Sequence, residues 1–322
     1  MQRKIVMNSE AIQRIRIPLG ERFADLWLFV GDERALLFDT GIRGTLESAV
    51  LPHLKKHSLS PDHVSHVVVS HLDVDHSGDV GAVKAQLPSA EIVAHQGDAE
   101  AITDWDAFLV QRGREFAKGW GLDESPEAVE WMRDVFNPGP LDAVLDSEIS
   151  VDLGGNRYVD IWHVPGHSHG HLAIHDQEHD TLAISDAILG SSVPLADKTP
   201  SFPPTYRHVD AYLSTIERVR ERKPGTLLTA HYGDYLGEDI SAFLNESELF
   251  VRRLDEAVKD AVGPEPQTLE EIVRRVNPVV ATWPTEGTET ALAFPVAGHL
   301  ERAREAGEII MLQNDDAWRW VS

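Results

Sequence analysis

The segment Ser70-His71-Leu72-Asp73-Val74-Asp75-His76-Ser77-Gly78 places two imidazoles and two carboxylates within six positions. It follows directly on the apolar run Val67-Val68-Val69, which reads as a strand. A strand that breaks into a loop at the edge of a sheet aims such side chains into one cleft. Ionisable groups this dense repel one another or compete for protons unless a positive charge sits among them, and a divalent cation supplies it. A solvated polar turn ahead of a helix accounts for any one of the four residues, and poorly for all four together.

Three further apolar runs each end on a candidate ligand: Tyr158–Val164 leads into Pro165-Gly166-His167, Thr181–Ile184 into Ser185-Asp186, and Thr226–Ala230 into His231. Four runs that deliver His or Asp to what reads as one edge of a sheet point to a metal centre rather than to unrelated polar strand ends. His163, His169, His171 and His175 crowd the same region as outer partners of the ligands or as strand residues. His169 and His171 flank Gly170, where they can orient ligands or substrate. Tyr206, in the proline-rich loop after Phe202, reads as a packed loop tyrosine or as a donor to a developing oxyanion.

The elements that must position these groups are legible as well. Leu26–Val30 and Ala35–Phe38 read as strands around the turn Gly31-Asp32, the second ending at Asp39-Thr40-Gly41. Leu46, Val50, Leu51 and Leu54 recur at helical spacing and predict a helix over Thr45–His57. Ser77–Leu87 reads as the next helix, closed by Pro88, and Glu91–Ala94 as a strand. Strand signals resume at Ile149–Leu153. The alternation argues for an α/β sheet covered by helices. From 98 to 136 the pattern turns helical and carries Trp105, Phe108, Phe116, Trp120 and Trp131, which form a lid or apolar wall for a substrate or pack as ordinary helices. After Gly263-Pro264-Glu265-Pro266, Thr268 caps a helix with Glu270 and Glu271 just inside it. A second helix spans roughly 290–306, and Ile309–Leu312 with Trp318–Val321 reads as a hairpin turning at Asn314-Asp315-Asp316. Helix, helix and two-stranded wing is a winged-helix outline.

The 322 residues suffice for one large domain, or a domain with a smaller appendage. A formal net charge of −24 repels phosphate backbones and anionic lipids, which argues against nucleic acid as a partner. The absence of cysteine removes disulfides, thiolate nucleophiles and thiolate metal sites together. Met1–Asn8 lacks the apolar core of a signal peptide, and no apolar run approaches the roughly 18 residues a membrane span needs. A cytoplasmic protein without a membrane partner is expected.

In these residues the chain resembles the metallo-β-lactamase-fold hydrolase superfamily. The pattern there is His-x-His-x-Asp-His, then Pro-Gly-His, then Asp after a strand, then a final His. Here it stands as His71 to His76, Pro165-Gly166-His167, Asp186 and His231. Phe38-Asp39-Thr40-Gly41 matches the early strand and turn, and Asp210–Ser214 resembles the helix start that precedes the final His. The resemblance covers residues 20–235. It implies an α/β fold, an αββα sandwich over residues 1–240 with 98–136 as a helical insert. The tail, 241–322, is similar to the small winged-helix-like α+β domain that some members carry.

The resemblance also implies two divalent metal ions, zinc first, with manganese or iron as alternatives. One ion would be held by His71, Asp73 and His167, and the other by Asp75, His76 and His231, with Asp186 bridging. Asp75 would also act catalytically by moving a proton. Asp73 departs from the pattern, which has His there. A carboxylate adds negative charge and makes the site harder, favouring iron or manganese relative to zinc; its shorter side chain could leave a single tightly bound metal. Flavodiiron oxygen reductases carry Glu at this place, but need a flavin-binding domain for which this chain is too short. Two cations about 3.5–4 Å apart share a hydroxide whose pKa falls from 15.7 toward about 7. The expected activity is therefore metal-dependent hydrolysis of a small-molecule ester, thioester or lactone. The rivals are an iron-dependent oxidoreductase, such as a sulfur dioxygenase, and a nuclease, against which the acidic tail argues. A homodimer through the insert or tail is a further expectation.

Overall fold

Apolar runs as long as Leu26–Val30 and Val67–Val69 need cover on both faces, and two stacked sheets with helices outside them provide it. In the computed structural model, which describes residues 11–313 and 317–322, the readings of Met1–Asn8 and of the turn at Asn314-Asp315-Asp316 lie outside the described residues. The first sheet has the order β1 (Ile12–Leu19), β2 (Arg22–Val30), β3 (Ala35–Phe38), β4 (Val64–Val68), β5 (Glu91–His95) and β6 (Ala143–Leu145). β1 to β3 pair antiparallel, and β3 to β6 pair parallel. Parallel neighbours need crossovers. These are α1 (Leu51–Lys56), continuing a π-helical turn at Leu46–Val50, then α2 (Val74–Ser77) with α3 (Val83–Gln86). The insert supplies the last one with α4 (Ala99–Thr103), α5 (Trp105–Phe108), a π-helical turn at Leu109–Gly113 and α6 (Pro126–Val135).

The single helix expected over Ser77–Leu87 is instead broken between α2 and α3. The cause is close backbone approach: a Cβ on Gly78 would lie 2.2 Å from the Val74 carbonyl oxygen and 2.7 Å from that of Val135, and one on Gly81 would lie 2.7 Å from that of Pro138. The loop after α6 presses into this bend and fixes α2, which carries two candidate ligands.

The second sheet contains β7 (Ile149–Gly154), β8 (Arg157–His163), β9 (Leu172–Asp176) and β10 (Thr181–Ser185). A two-stranded ribbon, β11 (Val193–Pro194) and β12 (Pro200–Phe202), then leads to α7 (Val209–Arg222), β13 (Thr226–Thr229) and β14 (Asp234–Leu236). The order is β14-β13-β10-β9-β8-β7, with only β10 and β13 parallel. Side-chain alternation sorts the residues into layers. Trp27, Phe29, Leu36, Phe38 and Val68 meet Ile161, Leu172, Ile174 and Ala183 between the sheets. Leu26, Leu28, Leu37 and Val67 face the helices outside the first sheet. Ala173, Leu182, Ile184 and Leu227 face those outside the second. The resulting αββα layering matches the expected fold.

The tail opens with α8 (Glu238–Ala261), a 24-residue helix that the sequence reading passed over. It continues with α9 (Leu269–Val280), α10 (Ala293–Glu305), β15 (Ile310–Leu312) and β16 (Arg319–Val321). Thr268 and Glu271 form the expected capping box on α9. Leu254, Leu269, Val296 and Trp320 belong to one continuous core with Ile184 and Tyr212, so the tail is packed directly on the second sheet's helical layer. Among the described residues no helix is long and apolar enough to cross a membrane.

Candidate metal centre

His71 and Asp73 lie in the loop that leaves β4, and α2 then presents Asp75 and His76. His167, Asp186 and His231 follow β8, β10 and β13 in the same way. These loops bring the candidate ligands into two groups, His71 with His167 and Asp186, and Asp75 with His76 and His231, the ligand atoms of each within 4.8 Å of one another. Asp186 also reaches the second group, with Oδ2 3.6 Å from His76 Nε2 and 3.1 Å from His231 Nε2. All are buried apart from Asp75, which is partly open to the cavity above.

Three of the imidazoles, those of His71, His76 and His231, are oriented from behind. His76 Nδ1 donates to Asp39 Oδ2 at 2.9 Å, and His231 Nδ1 donates to the Phe23 carbonyl at 2.7 Å, so each turns Nε2 toward the carboxylates. His71 Nδ1 lies 2.8 Å from Ser70 Oγ, Ser70 Oγ donates to Ser185 Oγ, and Ser185 Oγ donates to Asp39 Oδ2. Asp39 thus supports His76 directly and His71 through the two serines, and its other oxygen accepts from the Ser70 backbone N–H at 2.7 Å. Asp39 and Ser185 both adopt positive φ, 73° and 48°, a conformation that few side chains take up without such a hydrogen-bonding task.

Electrostatics show what the cluster lacks. Burial favours neutral Asp186, but His231 and His76 outweigh it and hold the carboxyl well below its ordinary range. Burial likewise opposes charge on His76, yet Asp75, Asp186 and Asp39 raise its pKa well above that of a free imidazole. The carboxylates draw positive charge from whatever is near. His71 Nε2, His76 Nε2 and Asp186 Oδ1 are nevertheless buried without a hydrogen-bond partner, a costly arrangement for polar atoms. Inward-facing imidazole nitrogens and carboxylates, oriented by outer partners and left unpaired, fit divalent zinc, manganese or iron.

Asp73 sits differently. Its Oδ2 is 3.6 Å from His71 Nε2 and 3.1 Å from His167 Nε2, while both of its oxygens accept from Arg112. Arg112 comes from the π-helical turn of the insert, and nothing in its local sequence marks it. Asp98 was also missed: it accepts from Ser168 Oγ, the Gly170 backbone N–H and the Leu72 backbone N–H, tying together the loops that carry His71 and His167.

Of the extra histidines, His171 is buried and stacks on His71 with ring centroids 4.6 Å apart. His163 donates to the His169 carbonyl, and His175 accepts from Arg222. Tyr206 is a packed tyrosine, its hydroxyl 2.9 Å from His299 Nε2 in the tail. The insert aromatics divide. Trp105 and Phe108 pack with Phe136 under the first sheet's helices, while Phe116 and Trp120 join the tail, with Trp120 stacked on Trp320. Phe108 and Trp131 also line the cavity above the cluster.

Gly166 places His167. Its φ is 140°, and a Cβ there would lie 2.4 Å from the Tyr212 Cα in α7. Gly166→Ala is expected to cost at least about 1–3 kcal/mol of stability, measurable by denaturant unfolding; an unchanged midpoint would show that the loop relaxes freely.

Residues 19–231 match the family model of the metallo-beta-lactamase superfamily. The chain is 26% identical over 219 residues to the acyl-coenzyme A thioesterase MBLAC2 of Homo sapiens, covering 62% of this chain and 67% of that protein. The Gallus gallus protein of the same name is 28% identical over 209 residues, with the same coverage. Among solved structures, a metallo-beta-lactamase family protein from Thermus thermophilus superposes with a TM-score of 0.71 at 20% identity, covering 97% of this chain and 98% of that one. A beta-lactamase domain protein from Burkholderia ambifaria gives 0.71 at 18% identity, covering 98% and 93%. These structural likenesses speak to the fold, and both span the tail as well. The matched region contains every ligand candidate from His71 to His231, and the chain belongs to the metallo-beta-lactamase superfamily.

Proposed function

We propose that this protein is a metal-dependent hydrolase of a small-molecule thioester or related ester. The observation that carries the reading is the ligand cluster itself, with unpartnered Nε2 and carboxylate atoms at the foot of an open cavity. That cavity measures about 550 Å³. Asp73, Asp75, Asp186 and His231 form its floor, and Phe108, Trp131 and Met132 of the insert form an apolar wall. Such a shape receives an acyl chain with its carbonyl directed at the floor. The thioesterase relatives favour a thioester over a lactone.

When bound, the metal ions supply a hydroxide at neutral pH and polarise the carbonyl under attack. His76, His231, Asp75 and Asp186 would hold one ion, and His71, His167 and Asp186 the other, with Asp73 beside it. Asp75, open to the cavity, takes or returns the proton. Arg22 lies over the Phe202 ring at the cavity edge and pairs with no carboxylate among the described residues, so it is placed to meet an anionic part of the substrate. In this reading residues 1–240 are the catalytic part, and 241–322 a winged-helix-like tail that buttresses it.

The test is a panel of acyl esters, thioesters and lactones assayed with zinc, manganese or iron. Turnover of thioesters is expected; oxygen uptake with iron and no hydrolysis would replace the hydrolase with an oxidoreductase. Trp131→Ala is expected to raise KM for long acyl chains about tenfold with kcat little changed. A fall in kcat alone would place Trp131 outside substrate binding.

A further inference from the structure

We propose that Arg112 acts as a built-in counter-charge for the first cluster, so that the two metal positions load unequally: tightly at Asp75, His76, His231 and Asp186, weakly at His71 and His167. The inference rests on the metal-centre reading above and concerns how that centre fills.

Arg112 is buried, with Nε 2.6 Å from Asp73 Oδ1 and Nη2 2.7 Å from Asp73 Oδ2. Both carboxylate oxygens are thus engaged in a two-pronged, charge-assisted pair, the strongest form such a contact takes. The same Nη2 lies 3.4 Å from His167 Nε2. A guanidinium cannot shed its proton in a protein, and a fixed positive charge this close repels an incoming dication and occupies its ligands. His71 Nε2 stays unpartnered in this position, so it is half engaged rather than closed. The second position has no such intruder: among the described residues no Arg or Lys pairs with Asp75 or Asp186, whose contacts at ion-pair distance are with His76 and His231.

Arg112 is held where it is. The Phe294 ring of α10 lies under the guanidinium, its centroid 3.9 Å from Cζ, so the tail clamps the residue against Asp73. Space for it to move into lies on its far side. Arg112 separates the substrate cavity from a second one of about 320 Å³ lined by His167, His169 and His208. Loading the first position requires the guanidinium to leave Asp73 for that space, which lowers the affinity there without abolishing it.

The experiment is calorimetric titration of metal-stripped protein with zinc and with manganese, together with elemental analysis after dialysis, for wild type and Arg112→Met. The wild type is expected to show two steps about 10- to 100-fold apart in affinity and to retain one metal per chain. In Arg112→Met the freed Asp73 carboxylate brings the steps together, and two metals are retained. Asp75→Asn, which leaves the first position untouched, is expected to remove the tight step. Two equally tight steps in the wild type would overturn the proposal, as would an unchanged gap in Arg112→Met. The wild-type titration decides alone if that variant does not fold. Binding of no metal by any form would instead overturn the metal-centre reading itself.

Discussion

Asp186→Asn is expected to lower kcat/KM for thioester hydrolysis by at least on the order of 10³-fold while leaving the far-ultraviolet dichroism unchanged. Asp186 is the residue that joins the two ligand groups, grouped with His71 and His167 and in contact with His76 and His231. Its carboxylate is held ionised because the flanking His231 and His76 overcome the cost of burial. The amide keeps the shape and loses the charge. Without that charge the two groups would lose the carboxylate they share, and with it the means of holding two cations close enough to act on one water. Steady-state kinetics with saturating metal separates this loss from weakened binding, and retention of even a tenth of wild-type activity would remove Asp186 from the centre.

Removal of metal is expected to lower the thermal midpoint by about 4 °C. Asp39 and Asp186 are buried, Asp73 and Asp75 are half-buried at the cavity, and neighbouring imidazoles and Arg112 balance their charge only in part. A divalent ion that binds this folded cluster and not the unfolded chain stabilises it by RT ln(1 + [L]/Kd), about 2.7 kcal/mol at a hundred times Kd. Melting curves with a chelator, with excess zinc, and after zinc is restored to the stripped protein check this. Coincident curves would mean that the folded state holds no metal of consequence.

Much of the sheet framework, and nearly all of the residues that the fold gathers into the two His/Asp groups, could be read from local sequence. Val67–Val69 followed by His71, and Thr226–Ala230 followed by His231, are strand-then-ligand patterns that need only near neighbours to recognise. What escaped depends on distant ones. Arg112 meets Asp73 across 39 positions and Phe294 across many more, and its own surroundings, Gln111 and Gly113, resemble any exposed turn. Phe116 and Trp120 could be placed in an aromatic-rich insert, but their packing against Phe294 and Trp320 belongs to the tertiary fold. The break after α2 follows from backbones pressed against Gly78 and Gly81, which helical periodicity does not register. α8 is a different case. Ile240, Phe243, Leu244, Phe250, Val251 and Leu254 recur at helical spacing, yet a boundary drawn at 240 by motif cut through the helix and hid it.

Acyl-thioester hydrolysis measured on metal-stripped protein, and again as zinc or manganese is added back, tests the central claim most directly. No turnover is expected in the stripped protein, with recovery that tracks the metal bound per chain. Undiminished hydrolysis by protein shown to be metal-free would contradict it.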